Sequence, residues 1–428
     1  MSDPEPRQAA GWRGPGMREF VALMAALMAS NALAIDAMLP ALPAIGEALG
    51  VGEENRRQLV ITVYLLGFGA GQIVYGPLSD RFGRKRLLVA GIALYALFAA
   101  AAGLAGSFAL LLAARACQGV AAAATRVLVV AIIRDRYHGS AMARTMSLVM
   151  IVFMVVPVIA PSFGQGVLAV AGWRQIFIGL AVYGLVLGLW AGLRLPETLA
   201  ASARRPLSAA HVGSAALETL RNRASIGNTM ASTLAFGALF AFINSVQQIV
   251  ADVFRSPGLI GLVFACVAGP MAISSYANSR FVVRFGSRRM LLAALAAFTL
   301  IALLHLIAAV TLGETIWSFV VLQALTMACF GLIGANAGAL AMEPLGHVAG
   351  TASSVQGMMT TVGGALIGFG IGQQFDGTTR PILLGFVLCG AAALLAAIWA
   401  NPARPRHPWP REAEAELVET QLPPSTSA

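Results

Sequence analysis

The sequence predicts an all-α integral membrane protein with twelve transmembrane helices arranged as two six-helix halves. Three observations predict this fold class. Of the 428 residues, 58% are hydrophobic and only 11% are charged, whereas a soluble domain carries about 25% charged residues. Apolar segments recur along the whole chain, and one loop motif occurs once in each half. Lipid is therefore expected to be the main solvent of this chain.

Each predicted span is close to the length of about 20 residues that an α-helix needs to cross a bilayer. Spans 1 to 12 are predicted at 19–39, 57–77, 87–106, 108–133, 145–170, 173–195, 226–250, 257–281, 289–310, 314–340, 350–374 and 379–400. The predicted divisions are a tail 1–18, a first half 19–195, a linker 196–224, a second half 225–400 and a tail 401–428. The polar start and the long apolar run after it favour a retained first span over a cleaved signal peptide.

The distribution of Lys and Arg predicts that both termini are cytoplasmic. In this orientation 22 of the 29 Lys and Arg residues fall in cytoplasmic segments and five in outer loops, as the positive-inside rule requires. These charges are spread over short loops, so the net charge of +10 does not predict nucleic-acid binding. The four cysteines lie in apolar runs without a C-x-x-C pair, so neither a metal site nor a disulfide is expected.

A short loop motif is repeated in the two halves. Residues 82–88 read FGRKRLL between spans 2 and 3, and residues 285–291 read FGSRRML between spans 8 and 9. The two copies are separated by about half the chain. A transporter built from two parallel repeats, with its substrate site between them near the bilayer midplane, has this kind of pattern.

Three charged residues fall well inside the predicted spans, away from the span ends. Asp36 is the one acidic residue well inside a span, where a carboxylate costs roughly 2.5–3.5 kcal/mol or more and usually has a function. It is a candidate proton carrier, or else a hydrated group near the outer helix end. Arg115 and Arg126 share one face of span 4, since eleven residues make about three turns. Arg115 is expected to hold a carboxylate, a substrate or backbone carbonyls, and Arg126 either acts in transport or reaches the cytoplasmic surface.

Amide side chains inside the predicted spans are candidates for an otherwise apolar substrate pocket between the halves. The alternative for each is a hydrogen bond between neighbouring helices. The candidate substrate-binding residues are Asn31, Gln72, Asn244, Gln247 and Gln248.

The loop between spans 2 and 3 resembles a known family motif. Residues 76–85 read GPLSDRFGRK, which is similar to motif A of the major facilitator superfamily. The resemblance implies a latch between the two halves in the outward-open state, with a charge relay among Asp80, Arg84 and Asp135. The residues it assigns to this conformational latch are Gly76, Asp80, Arg81, Gly83, Arg84, Lys85 and Asp135.

Two further segments resemble motifs of the same family. Residues 115–119 read RACQG and resemble motif B of the fourth span, whose arginine the family links to proton coupling. Residues 157–164 read PVIAPSFG and resemble the antiporter motif C, for which Pro157, Pro161 and Gly164 are the matching residues. Gln165 stands where a second glycine is usual.

Several short segments resemble the Bcr/CflA branch of drug-resistance transporters within this superfamily. They are DAMLPALP at 36–43, GWRQIF at 172–177, LPET at 195–198 and AGTASS at 349–354. The resemblance implies a proton-coupled antiporter, without a cofactor, that exports chloramphenicol-like or bicyclomycin-like compounds across the bacterial inner membrane as a monomer. In this interpretation Asp36 and Arg115 couple the proton gradient to transport.

Two alternatives stay open from the sequence. The first keeps the fold and makes the chain an importer or exporter of an endogenous metabolite or sugar. The second is a membrane enzyme or an ATP-driven pump. The second is disfavoured because the one lysine, Lys85, follows Arg84, so no Gly-Lys of a Walker A motif exists.

Overall fold

The computed structural model describes residues 14–137, 139–200, 202, 204 and 209–402, and these residues form helices joined by turns. Most of the two predicted tails therefore lies outside the described residues. The predicted all-helical membrane fold is confirmed, because eleven continuous helical stretches in this part of the chain are long and apolar enough to cross a membrane. The longest, Ile316–Gly372, contains spans 10 and 11, which are separated by the short 3₁₀ turn Glu343–Val348.

The twelve long helices agree with the predicted spans to within several residues at most ends. Spans 1 to 12 are Met17–Asp36, Leu59–Phe82, Arg84–Gly103, Phe108–Arg136, Gly139–Ala171, Trp173–Arg194, Arg223–Gln248, Ile260–Phe285, Ser287–Thr311, Ile316–Met342, Ala349–Gly372 and Arg380–Ala400. Span 7 ends in one π-helical turn, Ile249–Val253.

Span 1 is followed by an interrupted helical segment. Its helix ends at Asp36, a 3₁₀ turn follows at Leu39–Ala41, and a second short helix runs over Leu42–Ala48. Pro40 and Pro43 explain the interruption, because proline has no N–H to donate to the carbonyl four residues earlier. The carbonyls of Asp36 and Leu39 consequently lose their helical partners.

A helix also forms in the predicted linker. It spans Ala209–Arg221 and packs against spans 7 and 11. One polar contact fixes it to the turn before span 11, where Glu218 Oε1 lies 2.8 Å from His347 Nε2.

Glycines let the helices of the first half approach closely. A methyl group at Gly67 would overlap the carbonyl oxygen of Ala116, and one at Gly119 would overlap that of Tyr64. Spans 2 and 4 are thus in backbone contact, as small residues permit in membrane helices. The repeated loop also adopts one conformation twice, since Gly83 and Gly286 have φ values of 96° and 77°.

The two halves meet along two pairs of spans. Span 2 packs against span 11, and span 5 packs against span 8. Span 7 also contacts the 3₁₀ turn Leu39–Ala41 at the break in span 1. This places the break, and with it Asp36, beside the surface that the halves share.

Candidate functional site

Asp36 is the last residue of the span 1 helix, immediately before the break. Its side chain is 4% exposed, and within the described residues no hydrogen bond or ion pair reaches its carboxylate. Tyr64 of span 2 is close enough for a Coulombic interaction with it. The negative end of the helix dipole also points at this position, which disfavours an anion there. Asp36 is therefore a buried carboxyl group without a counter-charge among the described residues.

Arg115 fastens the backbone of the broken helix. Its Nη2 donates to the carbonyl oxygen of Ala34 at 3.1 Å, and its Nε donates to that of Val60 at 3.1 Å. Its Nη1 donates to Gln118 Oε1 at 2.7 Å, and the guanidinium lies 4.2 Å from the centre of the Tyr64 ring. Of the partners open in the sequence, the structure shows backbone carbonyls, and Arg115 ties spans 1, 2 and 4 together.

Gly164 supports the break from the opposite side. A methyl group at this position would overlap the carbonyl oxygen and carbon of Ala37, the residue directly after Asp36. Span 5 thus brings its bare backbone against the interrupted part of span 1. Pro157 and Pro161 lie inside the same helix, where each removes one backbone hydrogen bond. The antiporter-like motif is thereby packed directly on the segment that carries Asp36.

The ionic network of the span 2–3 loop lies at the arginine-rich face of the molecule. Arg84 is buried, and its Nη2 lies 2.7 Å from Asp80 Oδ1. Its Nε donates to Asp135 Oδ2 at 3.2 Å at the end of span 4. The three residues expected to form a relay are therefore in contact. Their contacts stay within the first half.

Glu197 is a fourth member of this network that the sequence did not assign to it. Its Oε1 accepts from the backbone N–H of Arg84 at 2.8 Å and from those of Thr198 and Leu199 at 3.1 Å each. It therefore caps the first turn of span 3. Thr198 Oγ1 also donates to Asp135 Oδ2 at 3.1 Å.

The other predicted latch residues surround this network. Gly76 lies near Ser354 of span 11, so a Cβ there would approach its hydroxyl to 3.4 Å. Arg81 is exposed, with its guanidinium 5.3 Å from the Phe82 ring centre, and Lys85 is partly buried. Among these residues, Gly76 has the clearest contact with the second half.

Two of the five candidate amides, Asn31 and Gln72, make hydrogen bonds to neighbouring spans. Asn31 Oδ1 accepts from the Tyr64 hydroxyl at 2.6 Å, within the first half. Gln72 Nε2 donates to Thr361 Oγ1 at 3.0 Å, which joins span 2 to span 11 across the two halves. In this structure both amides therefore form hydrogen bonds between neighbouring helices, which is the alternative to substrate binding.

Gln248 belongs to a cluster of amides that we call the outer clamp, formed by Asn55, Gln58, Gln248 and Gln373. Gln58 Nε2 donates to Gln248 Oε1 at 2.7 Å, and Gln248 Nε2 donates to Asn55 Oδ1 at 2.8 Å. Gln373 Nε2 donates to the backbone oxygen of Asn55 at 2.8 Å. These bonds join the halves at the face opposite the arginine-rich loops.

The remaining two candidate amides have no such partners. Asn244 and Gln247 are 1% and 2% exposed, and no side-chain hydrogen bond from either is present in the described part of the chain. The side-chain oxygen and nitrogen of Asn244 are both fully buried. The structure therefore separates Gln248, which joins the halves in the outer clamp, from Asn244, which lies one turn deeper.

Comparison with known proteins identifies the family. A model of the Major Facilitator Superfamily matches residues 24–368 and, in a second match, 229–424. The chain belongs to the major facilitator superfamily. The two overlapping matches also agree with the internal repeat.

Similar proteins in this superfamily cover most of the chain. A bicyclomycin resistance protein homolog of Haemophilus influenzae is 29% identical over 88% of this chain and 94% of its own. An uncharacterized MFS-type transporter, YdgK of Bacillus subtilis, is 30% identical over 81% of this chain and 86% of its own. The multidrug resistance protein MdtL of Escherichia coli is 26% identical over 91% of this chain and 97% of its own. These relatives confirm the predicted resemblance to drug-resistance transporters of the Bcr/CflA type.

One solved structure confirms the fold. The human organic anion transporter MFSD10 superposes with a TM-score of 0.63 over 90% of this chain and all of its own, at 18% identity. At that identity the likeness concerns the arrangement of the helices.

Arg126, the second cation of span 4, has an exposed side chain. Within the described residues it has no ion pair or hydrogen bond. It differs in this from Arg115, which has no exposed surface and several partners.

Sequence reasoning also missed a buried pair in the second half. His305 Nε2 lies 2.6 Å from Glu314 Oε1, and Glu314 Oε2 accepts from Thr379 Oγ1 at 2.5 Å. Glu314 was placed at the edge of span 10, where an acid is commonly hydrated. The signal available in the sequence was the fully apolar surroundings of His305.

Proposed function

We propose that this major facilitator transporter exports small amphipathic compounds, bicyclomycin-like or chloramphenicol-like, in exchange for protons across the bacterial inner membrane. Both termini lie on the cytoplasmic side in this proposal. The observation that carries it is Asp36, a buried carboxyl group at a helix break, beside the surface between the halves and without a protein counter-charge.

The environment of Asp36 suits reversible proton binding. Removing an ionised carboxylate from water costs several kcal/mol, and the cost falls away when the group binds a proton or meets a solvated path. Asp36 makes no ion pair that would hold it permanently charged. A conformation that buries it therefore favours the protonated form, and one that opens it to water favours release. Protonation and conformation are linked in this way.

The backbone around Asp36 is held while its side chain is left free. Arg115 binds the carbonyl of Ala34 on one side of the break, and Gly164 contacts the carbonyl of Ala37 on the other. A change of charge at Asp36 thus acts on a segment that spans 2, 4 and 5 already touch. Span 7 contacts the same break from the second half, which provides a route from proton binding to movement between halves.

The closed outer clamp fits one end state of alternating access. The described residues contain side-chain hydrogen bonds between the halves at the outer clamp, at Gln72–Thr361 and at Gln165–Pro257. Within those residues none joins the halves at the arginine-rich face. Opening toward the cytoplasm would therefore break fewer polar contacts from this state than opening outward.

Export of drug-like compounds is favoured over uptake of a metabolite by the names of the relatives. One is called a bicyclomycin resistance protein homolog and another a multidrug resistance protein. The antiporter-like motif around Pro157, Pro161 and Gly164 packs on the Asp36 segment, which also agrees with exchange of a substrate for a proton.

The test is drug susceptibility in a bacterium that lacks its own major pumps. The chain is expressed beside Asp36→Asn, which keeps the size of the side chain and removes its proton, and beside Asp252→Asn as the matched control. The wild type and Asp252→Asn should raise the inhibitory concentration of bicyclomycin or chloramphenicol severalfold. Asp36→Asn should not, and a protonophore should abolish the wild-type effect.

Either of two results would refute part of the proposal. Full, protonophore-sensitive resistance in Asp36→Asn would remove Asp36 from proton coupling. Absence of resistance to a broad antibiotic panel, with the protein present in the membrane, would exclude drug export. Metabolite transport would then be measured with the same variants in inverted vesicles.

A further inference from the structure

In the part of the chain that the structure describes, two amide side chains of the second half are buried without a hydrogen-bond partner. Asn244 in span 7 and Gln323 in span 10 are each 1% exposed. Both the oxygen and the nitrogen of each amide are sealed from solvent and unpaired. A buried polar group left without a partner destabilises the fold by roughly 1–3 kcal/mol. Packing alone does not explain why four such atoms are present.

Aromatic contacts place the two amides at the same depth. Spans 7 and 10 run in opposite directions and touch through Phe236 and Phe330, whose ring centres are 5.0 Å apart. Near the outer end Phe254 and Phe319 are 5.6 Å apart. Asn244 is eight residues outward from Phe236, and Gln323 is seven residues outward from Phe330. At 1.5 Å per residue both lie about 10–12 Å beyond that contact.

At the depth of Asn244, span 7 faces the first half. Gln248 follows Asn244 by one turn and bonds to Gln58 of span 2. Residues four apart share a helix face, so Asn244 lies on the side that meets the first half. The same span contacts the break after Asp36. Asn244 is therefore placed across the shared surface from the proposed proton carrier, beneath the outer clamp, and Gln323 lies at the same depth on the neighbouring span.

The two spans that carry the pair contain no charged residue at this depth. From Ala224 to Gln248 and from Ile316 to Met342 the chain contains no Asp, Glu, Lys or Arg. Spans 7 and 10 consequently offer a ligand neither a carboxylate for a cation nor a cation for an acid. What they offer is two acceptor oxygens and two donor nitrogens, the complement of a neutral group with its own donor and acceptor.

We propose that Asn244 and Gln323 bind the uncharged hydrogen-bonding group of the substrate, a group that carries a donor and an acceptor side by side, such as a cyclic amide or imide. This inference rests on the proposed export function and names its substrate class. Among the described residues neither amide has a hydrogen-bond partner, and a bound substrate would supply one. Sites built to hydrogen-bond a ligand reject analogues that lack the matching group strongly.

The experiment measures ligand binding by purified protein in detergent, through the shift in thermal unfolding temperature. The probes are bicyclomycin, a neutral cyclic diamide, and ethidium, an apolar cation. The variants are Asn244→Leu and Gln323→Leu. The matched control is Asn336→Leu, also in span 10, whose amide donates to Asn278 Oδ1 at 2.7 Å. Binding to purified protein requires neither proton coupling nor a direction of transport.

The wild type should be stabilised by bicyclomycin and much less by ethidium. Asn244→Leu and Gln323→Leu should unfold at or above the wild-type temperature without ligand, since each removes unpaired polar atoms. Each should also bind bicyclomycin at least tenfold more weakly. Asn336→Leu should unfold at a lower temperature and keep the ligand-dependent shift.

Three results would overturn the inference: unchanged bicyclomycin affinity in both variants, stabilisation of the wild type by ethidium alone or by neither probe, or a clear loss of ligand-free stability in both variants. The last would assign the amides to bridging water that maintains the fold. Tight amide-dependent binding combined with no drug export in cells would instead refute only the proposed export function.

Discussion

Gly164 shows how one hydrogen atom in place of a side chain shapes the site. We predict that Gly164→Ala lowers the unfolding temperature and abolishes transport, because its methyl group would overlap the carbonyl of Ala37. Overpacking of this kind costs about 1–3 kcal/mol, and here the obstacle is backbone. Gly166→Ala is the control, since a methyl group there meets open space. Thermal unfolding in detergent and drug resistance in cells check the pair, and equal behaviour of the two variants would contradict the proposed contact.

Arg115 is a residue whose bonding geometry matters more than its charge. Its guanidinium donates in three directions, to Val60, Ala34 and Gln118. We expect Arg115→Lys to lower the unfolding temperature almost as much as Arg115→Ala, because a lysine ammonium cannot reproduce a planar fork of donors. The measurement is thermal unfolding of both variants at one pH. A lysine variant as stable as the wild type would show that charge alone suffices.

At the scale of an element, Glu197 and Gly83 act together at the start of span 3. Glu197 caps the first turn. Gly83 has φ 96°, and a methyl group there would overlap the carboxylate of Glu197. We predict that Glu197→Ala costs about 1 kcal/mol. Gly83→Ala should cost more than Gly286→Ala, because Gly286 has the same strained φ and open space beside it.

A double-mutant cycle separates these contributions. Once Glu197 is replaced by alanine, the additional cost of Gly83→Ala should fall to that of Gly286→Ala, because only backbone strain remains. Gly286→Ala should add independently to Glu197→Ala, as distant sites do. Additivity in both cycles would mean that Glu197 and Gly83 are not in contact.

The elements themselves were predictable because each span is a long apolar run, and the lone acid Asp36 was identifiable for the same reason. The break after Asp36 was not predicted from Pro40 and Pro43, because hydropathy alone marks these prolines only as the end of a span. The Glu197 cap joins residues 113 positions apart. One sequence contains no information that pairs such distant residues, and the same holds for Gln58 with Gln248.

At the scale of the whole molecule, the halves repeat one scheme of anchoring. In the first half, the N–H of Arg84 at the start of span 3 donates to Glu197 beyond the end of span 6. In the second half, Arg288 at the start of span 9 donates to the carbonyl of Asn401 beyond the end of span 12 at 2.9 Å. Each half is thus closed on itself at the arginine-rich face. Movement between the halves can leave these anchors intact, and the contacts that must change lie elsewhere.

The outer clamp is the set of contacts that rigid rotation of the halves has to break. We predict that Gln58→Leu shifts the population toward the outward-open state, because Gln58 bonds to Gln248 and to the carbonyl of Gly372 at 3.1 Å. The shift is measured with Gln247→Cys, buried beneath the clamp, in a protein whose four native cysteines are replaced by alanine. A membrane-impermeant maleimide added outside should label this cysteine several times faster in the Gln58→Leu background. Gln356→Leu is the control, since the bonds of Gln356 stay within the second half. Equal labelling in the two backgrounds would mean that the amides do not hold the outer face closed, and that the contact between spans 5 and 8 does so instead.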